Sequence, residues 1–234
     1  ILIILSTWDT YSTEQISLIE IEGITVLKST IPEHKGFSNI NLQIKSTKEG
    51  ILFAKKVGIE FCLKTRTDQR IYRHDFLQFM NSLIQSFPLK CEKNELNYRL
   101  LVPSLNTFKY RLYSPSDMLM YGSIVEMERY WCINFDERTE KKETNSLKEW
   151  SRETYAEIYL STNFLKNISH NLAWTIQDSW NVYRDYFCVF NKEEIDLFWF
   201  KYDRKNGDRF YTNTRRHMKE EFSFSDWLNL FCNN

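Results

Sequence analysis

"GIEFCLKTRTDQRIYRHDFLQFMNSLIQSFP", Gly58 to Pro88, carries the clearest strand-then-helix signal in the chain. Ile59–Leu63 is an apolar run of strand length that follows a glycine. Asp75–Phe87 then sets Phe76, Leu77, Met80, Leu83, Ile84 and Phe87 at i, i+3, i+4, i+7 spacing, and Pro88 ends the pattern. Upstream the same alternation recurs. Ile1–Leu5 is a short apolar run, Glu14–Ile21 is weakly helical, and Gly23 precedes the β-branched stretch "ITVLKS". From Asn39 to Gly58, Ile44, Ile51, Leu52 and Ala54 recur at helical spacing, with Gly58 at the C-cap position. Alternation of this kind predicts an α/β fold, a mostly parallel sheet flanked by helices.

Downstream the pattern loosens. "LNYRLLV" reads as a strand, "PSLNTFKYRLYSPSD" as an extended stretch broken by Pro103 and Pro115, and "DMLMYGSIVEMERYW" as a strand or turn leading into a helix. The charge-rich segment Asp136–Glu149 predicts an exposed loop or a mobile helix start, and a boundary there divides the chain. Residues 1–135 form the expected α/β domain, and residues 136–234 a helical, aromatic-rich annex packed on it. In the annex, Tyr155, Ile158, Tyr159, Thr162 and Leu165 keep helical spacing, "YFCVFN" predicts a strand, and "FSFSDWLNLF" a terminal helix capped by Ser225. Rings such as Trp174, Trp180, Trp199, Phe200, Tyr202 and Trp227 fill a core or stack on sugar faces.

With 42% hydrophobic and 16% aromatic residues, 234 residues suffice for one large core with an annex. Thirty-one basic residues balance thirty-one acidic ones. No overall field would draw the protein onto nucleic acid, so any anion site is local. Five cysteines, odd in number and without a C-x-x-C pair, argue against a disulfide scaffold or a zinc cluster and predict a reducing, cytoplasmic setting. No apolar run approaches the roughly 18 residues of a membrane span. The opening "ILIIL" lacks the basic flank of a signal peptide. Dinucleotide, P-loop, zinc-protease and serine-hydrolase motifs are absent, and six glycines are too few for a glycine-rich phosphate cradle. A bound phosphate would be held by side chains or a metal.

These constraints direct attention to Lys64, Arg66, Asp68 and Arg70, which occupy alternate positions past an apolar strand, where a continued strand would aim them the same way. Open α/β sheets bind ligands beyond the carboxyl ends of their strands. The set reads either as a diphosphate-binding nest or as a solvated loop in which Asp68 pairs with Arg66 or Arg70.

The blocks "ILSTWD", "NINLQIKSTKEGILFAKK", "CLKTRTDQRIY", "SDMLMYGS" and "AEIYL", in that order, resemble the WavE family of lipopolysaccharide-synthesis proteins, which look like GT-A-type glycosyltransferases. The resemblance runs from Ile1 to Leu160. It implies transfer of a sugar from a nucleotide-sugar donor to a growing lipopolysaccharide or other surface glycan; the alternative is a degenerate, non-catalytic relative that binds a glycan or a protein. Family chains carry a strand and helix before the "STW" block, so a fragment is expected.

By position, the resemblance puts Ser6, Thr7 and Asp9 at the nucleotide-facing edge and Asn41, Gln43 and Ser46 on a helix beside the donor. Lys64, Arg66, Asp68 and Arg70 match its most specific motif. Asp68 takes the place of the second carboxylate of an Asp-x-Asp signature, with Arg66 in place of the first, so Asp68 either holds a single Mg²⁺ or Mn²⁺ or the arginines neutralise the leaving phosphate without metal. Asp117 is the candidate base for the acceptor hydroxyl, or else a turn residue. Gly122 allows close backbone approach to the sugar or a bend, and Glu157 faces the acceptor or solvent. Arg215, Arg216 and Lys219 offer a small basic handle for peripheral contact with the inner membrane if the glycan is lipid-linked.

Overall fold

The computed structural model describes residues 1–89, 96–140, 142–199 and 220–233. The chain opens as a strand–helix–strand unit: β1 (Ile4–Trp8), α1 (Thr13–Ile21) and β2 (Thr25–Ser29), with β1 and β2 paired in parallel. Ser12 and Gln15 close a capping box that fixes the start of α1. The long helix α2 (Ile40–Lys56) follows and ends before Gly58, whose φ of +79° is the left-handed turn a glycine accepts at no steric cost.

β3 (Phe61–Lys64) leads through a turn to β4 (Gln69–Ile71) and α3 (Phe76–Ser86). The apolar stripe read from the sequence buries Met80, Leu83 and Ile84, each worth about 1.5–3 kcal/mol relative to exposure. β5 (Leu100–Pro103) and β6 (Met120–Ser123) are buried at every residue, and α4 (Ile124–Trp131) starts directly from β6. Then come α5 (Leu147–Thr154), α6 (Ala156–Asn167), α7 (Ile176–Tyr186), β7 (Phe187–Phe190), β8 (Leu197–Trp199) and α8 (Phe224–Cys232).

The fold is mixed α/β, but the mostly parallel sheet expected from the alternation is not what forms. Among the described residues the strands make three small sheets: the parallel pair β1-β2, a four-stranded sheet in the order β3-β6-β5-β7, and the pair β4-β8. In the central sheet β6 is antiparallel to both β3 and β5, and only β5 and β7 run parallel. The cause lies in residues 104–119, which contain no helix. Parallel neighbours need a crossover, normally helical, whereas an irregular connection brings the chain straight back antiparallel.

Packing and capping set several local details. Ser223, not Ser225, caps α8: its hydroxyl accepts from the Asp226 N–H while the Asp226 carboxylate accepts from Ser223 in return. Asp136, expected in an exposed loop, is 1% exposed. Gly122 serves packing, since a Cβ there would lie 2.7 Å from Leu100 Cδ2 on the neighbouring strand. Phe187 and Trp227 share one apolar cluster with Met80 and Val102, so the C-terminal part supplies a strand and a helix to the same core as the N-terminal part. No helix among the described residues is long and apolar enough to cross a membrane.

Candidate functional site

The alternate-residue register of Lys64, Arg66, Asp68 and Arg70 does not survive folding. β3 ends at Lys64, the chain turns with the Gln69 N–H on the Arg66 carbonyl, and β4 starts in a different sheet. The four side chains therefore diverge. Arg70 donates to the carbonyls of Thr67 and Gln69 and is exposed. Arg66 clasps Asp68 through Nε at 2.8 Å and Nη2 at 3.2 Å. The Trp199 indole N–H, from β8, donates to the same carboxylate at 2.9 Å. The Arg66 hydrogen bonds hold Asp68 below the usual carboxylate range. Trp199 also lines a cleft of about 260 Å³ with Tyr72 and Lys192.

This geometry does not suit a metal on Asp68. Both of its oxygens are already engaged by Arg66 and Trp199, and no group of three metal-ligating side chains occurs among the described residues. Mg²⁺ or Mn²⁺ would need further oxygen ligands there.

Lys64 turns the other way, into the protein. Its ammonium donates to the Asp117 carbonyl and lies 4.9 Å from the centre of the Trp131 ring. Burial pulls its pKa down to about 8 against the raising effect of Asp117. Asp117 comes alongside because Lys64, last in β3, pairs with Met120, first in β6, so the turn before β6 abuts the end of β3. From α2, Gln43 donates to the same Asp117 carbonyl at 3.3 Å. Asp117 is 5% exposed.

Glu157 completes the group. It sits in the first turn of α6, and burial followed by the Asp117 charge pushes its carboxyl up to about 7, with Arg111 pulling the other way. Tyr130, fully buried on α4, has its hydroxyl raised first by burial and then by Asp117. The Tyr130 hydroxyl, the Ser116 hydroxyl and the Trp131 indole N–H have no hydrogen-bond partner. Unpaired buried polar groups are rare enough to require a reason, and a ligand that supplies the missing partners is one.

Four sequence-predicted residues thus converge: Gln43, Lys64, Asp117 and Glu157. Others go elsewhere. Asn41 is a structural latch, its amide bonding the His34 and Asp136 carbonyls at 2.9 Å each and accepting from the Asp136 N–H at 2.7 Å. Ser6 and Thr7 lie in β1, outside the central sheet, with the Ser6 hydroxyl against Gly50 of α2. Asp9 accepts from Thr30, and the Ser46 hydroxyl turns back onto its own helix at Gln43. Arg215, Arg216 and Lys219, with Phe200 and Tyr202, lie outside the described residues.

Sequence reasoning missed Arg111 and Tyr130. Arg111 sits in the irregular stretch before Pro115, its guanidinium 3.7 Å from the Tyr155 ring centre and 4.1 Å from that of Phe108. No periodicity marks such a residue. Also missed was a cleft of about 520 Å³ bordered by α6 and the turn before α7.

A family model described as WavE lipopolysaccharide synthesis matches residues 1–234, the whole chain, and so extends beyond Leu160 into the aromatic C-terminal part. No curated protein and no solved structure matches.

Proposed function

The chain belongs to the WavE lipopolysaccharide-synthesis family, and from that premise we propose that it is a glycosyltransferase moving a sugar from a nucleotide-sugar donor to a glycan acceptor. The observation that carries the reading is the proximity of Glu157 to the buried Asp117, beside Lys64. Burial and the neighbouring Asp117 charge push the Glu157 carboxyl up to about 7, which is where a general base has to work. In the proposed reaction the ionised member of the pair takes the acceptor hydroxyl's proton. The acceptor oxygen bonds the anomeric carbon as that carbon's bond to the donor phosphate breaks, and the electron pair leaves with the nucleoside phosphate. A single displacement of this kind inverts the anomeric centre.

Lys64 sits beside the pair to receive the charge that builds on the leaving phosphate. The proposed step uses no metal, in keeping with the donor set at Asp68. Arg66 and Asp68 enter as an exposed ion pair anchored on Trp199.

The test is thermal stabilisation by UDP-, CMP-, GDP- and dTDP-sugars, because a ligand preferring the folded form raises its melting point, followed by a transfer assay on Glu157→Gln and Asp117→Asn. At least one donor should stabilise the protein, and both variants should lose transfer by a hundredfold or more, within the usual range of general-base effects. Stabilisation by no donor would favour a non-catalytic relative, and full activity in both variants would sink the assignment.

A further inference from the structure

The cleft of about 520 Å³ has no part in the proposed chemistry. It is bordered by Tyr159, Asn163 and Lys166 of α6, by Arg152 of α5 and by Trp174 and Leu172. At about 100° per residue, Tyr159 and Lys166 sit on α6 roughly opposite Glu157. The cleft and the carboxylate pair therefore open on different sides of one helix.

Three observations say what the cleft would take. First, its rings are fixed in place. The Tyr159 hydroxyl donates to the carbonyl of Phe135 at 3.0 Å. Trp174 is held at a φ of +57°, which a bulky residue adopts only under constraint. The constraint is visible: the Trp174 N–H donates to the Tyr113 hydroxyl at 2.8 Å, and Tyr113 in turn donates to Asp178, the carboxylate that also receives the Ala173 N–H. Tyr113 meets the Trp174 ring edge-on at 5.3 Å.

Second, the charges are unequally engaged. Asp136 is sealed by three contacts of 2.8–3.0 Å from the Arg138 guanidinium, so this pair cancels itself. Arg152 stacks 4.5 Å from the Trp174 ring centre, and Lys166 is exposed. Among the described residues neither forms an ion pair, leaving two cations against the exposed carboxylate of Glu137. Third, the volume lies in the range of small-ligand sites, large enough for one or two sugar rings.

We propose that this cleft binds an anionic saccharide, a sugar ring carrying a phosphate or carboxylate, with Trp174 as the ring platform and Arg152 and Lys166 as the charge clamp. The site stands as a binding site whether or not the chain transfers sugars. If it does, the cleft engages a charged part of the glycan away from the reacting hydroxyl.

Calorimetric titration of the full chain, without donor, tests it with four probes: glucose 6-phosphate, glucuronate, glucose and inorganic phosphate. Either charged sugar should bind with a Kd of about 1 mM, and glucose and inorganic phosphate at least tenfold more weakly. Which charged sugar binds tighter decides between a phosphate and a carboxylate. Arg152→Ala with Lys166→Ala, both at exposed side chains, should weaken the tighter probe at least tenfold, and Trp174→Ala likewise. Should Trp174→Ala fail to fold, Lys166→Glu replaces it with the same expected loss. No binding of either charged sugar, equal binding of glucose or phosphate alone, or unchanged affinity in the double variant would each overturn the proposal. A failed donor screen would leave it standing, so the two readings fail separately.

Discussion

Replacing Glu157 by glutamine should make the protein more stable at pH 8 and only slightly more stable at pH 5. The Glu157 carboxyl is pushed up to about 7 from an ordinary value of 4.5, by burial first and by Asp117 second. The folded chain thus holds this proton more tightly than the unfolded chain. Stability from this group is complete below about pH 4.5 and is lost as pH rises through about 7. At 1.36 kcal/mol per pH unit the loss is about 3 kcal/mol. Partial solvent access at Glu157 reduces that to about 2 kcal/mol. Glutamine has no proton to lose, so the stability gap between variant and parent should open between about pH 4.5 and 7. With a urea slope of about 3 kcal/mol/M for a chain of this size, the variant's midpoint should exceed the parent's by about 0.7 M at pH 8 and by under about 0.2 M at pH 5. The carboxyls whose values are lowered, Asp68, Asp75 and Asp226, titrate below this window and drop out of the comparison. A gap that stays constant with pH would refute the burial of an ionisable Glu157 beside Asp117, and with it the proposed base.

Other consequences follow from neighbouring contacts. Asp117→Asn removes the charge that repels an ionised Glu157, so the Glu157 titration, followed by NMR of ¹³C-labelled glutamate carboxyls, should move down by about one pH unit; no movement would separate the two carboxyls. Asn41→Ala deletes three hydrogen bonds in a fully buried site and should cost about 2–4 kcal/mol in urea denaturation. Gly122→Ala forces a methyl to 2.7 Å from Leu100 Cδ2 inside the central sheet, for an expected loss of about 1–3 kcal/mol, read as a lowered melting temperature. If transfer is detected, EDTA should leave its rate within twofold, because Asp68 already gives its oxygens to Arg66 and Trp199; abolition by EDTA, reversed by Mn²⁺, would put a metal back into the mechanism.

What the sequence revealed and what it hid follow from the range of the interactions involved. Helices α2 and α3 were legible because their apolar spacing and their terminators, Gly58 and Pro88, lie within a few turns of one another. Strand direction was not. Whether β6 runs parallel or antiparallel to β5 depends on whether residues 104–119 form a helix, and a stretch dense in aromatic and polar residues has no period that answers this. The same loss of local information explains the charged nonapeptide. Alternate spacing aims side chains together only while a strand lasts, and β3 stops at Lys64. One register break sent Lys64 inward and left Arg66, Asp68 and Arg70 at the surface.

The candidate site emerged from contacts that no local pattern encodes. Lys64 and Asp117 are fifty-three residues apart and meet because β3 and β6 pair with Lys64 opposite Met120. Glu157 is a further forty residues along and arrives because α6 packs against α4, the helix that grows from β6. In sequence it is a glutamate in the first turn of an amphipathic helix, where an acid is favoured by the helix dipole alone. What turns it from a surface acid into a group titrating near pH 7 is the water removed around it and the second carboxylate beside it, both products of tertiary packing. A resemblance can nominate Asp117 and Glu157 separately. Only the fold brings them together, and in the proposed reaction that proximity helps to raise the Glu157 carboxyl into the range where proton transfer at neutral pH works.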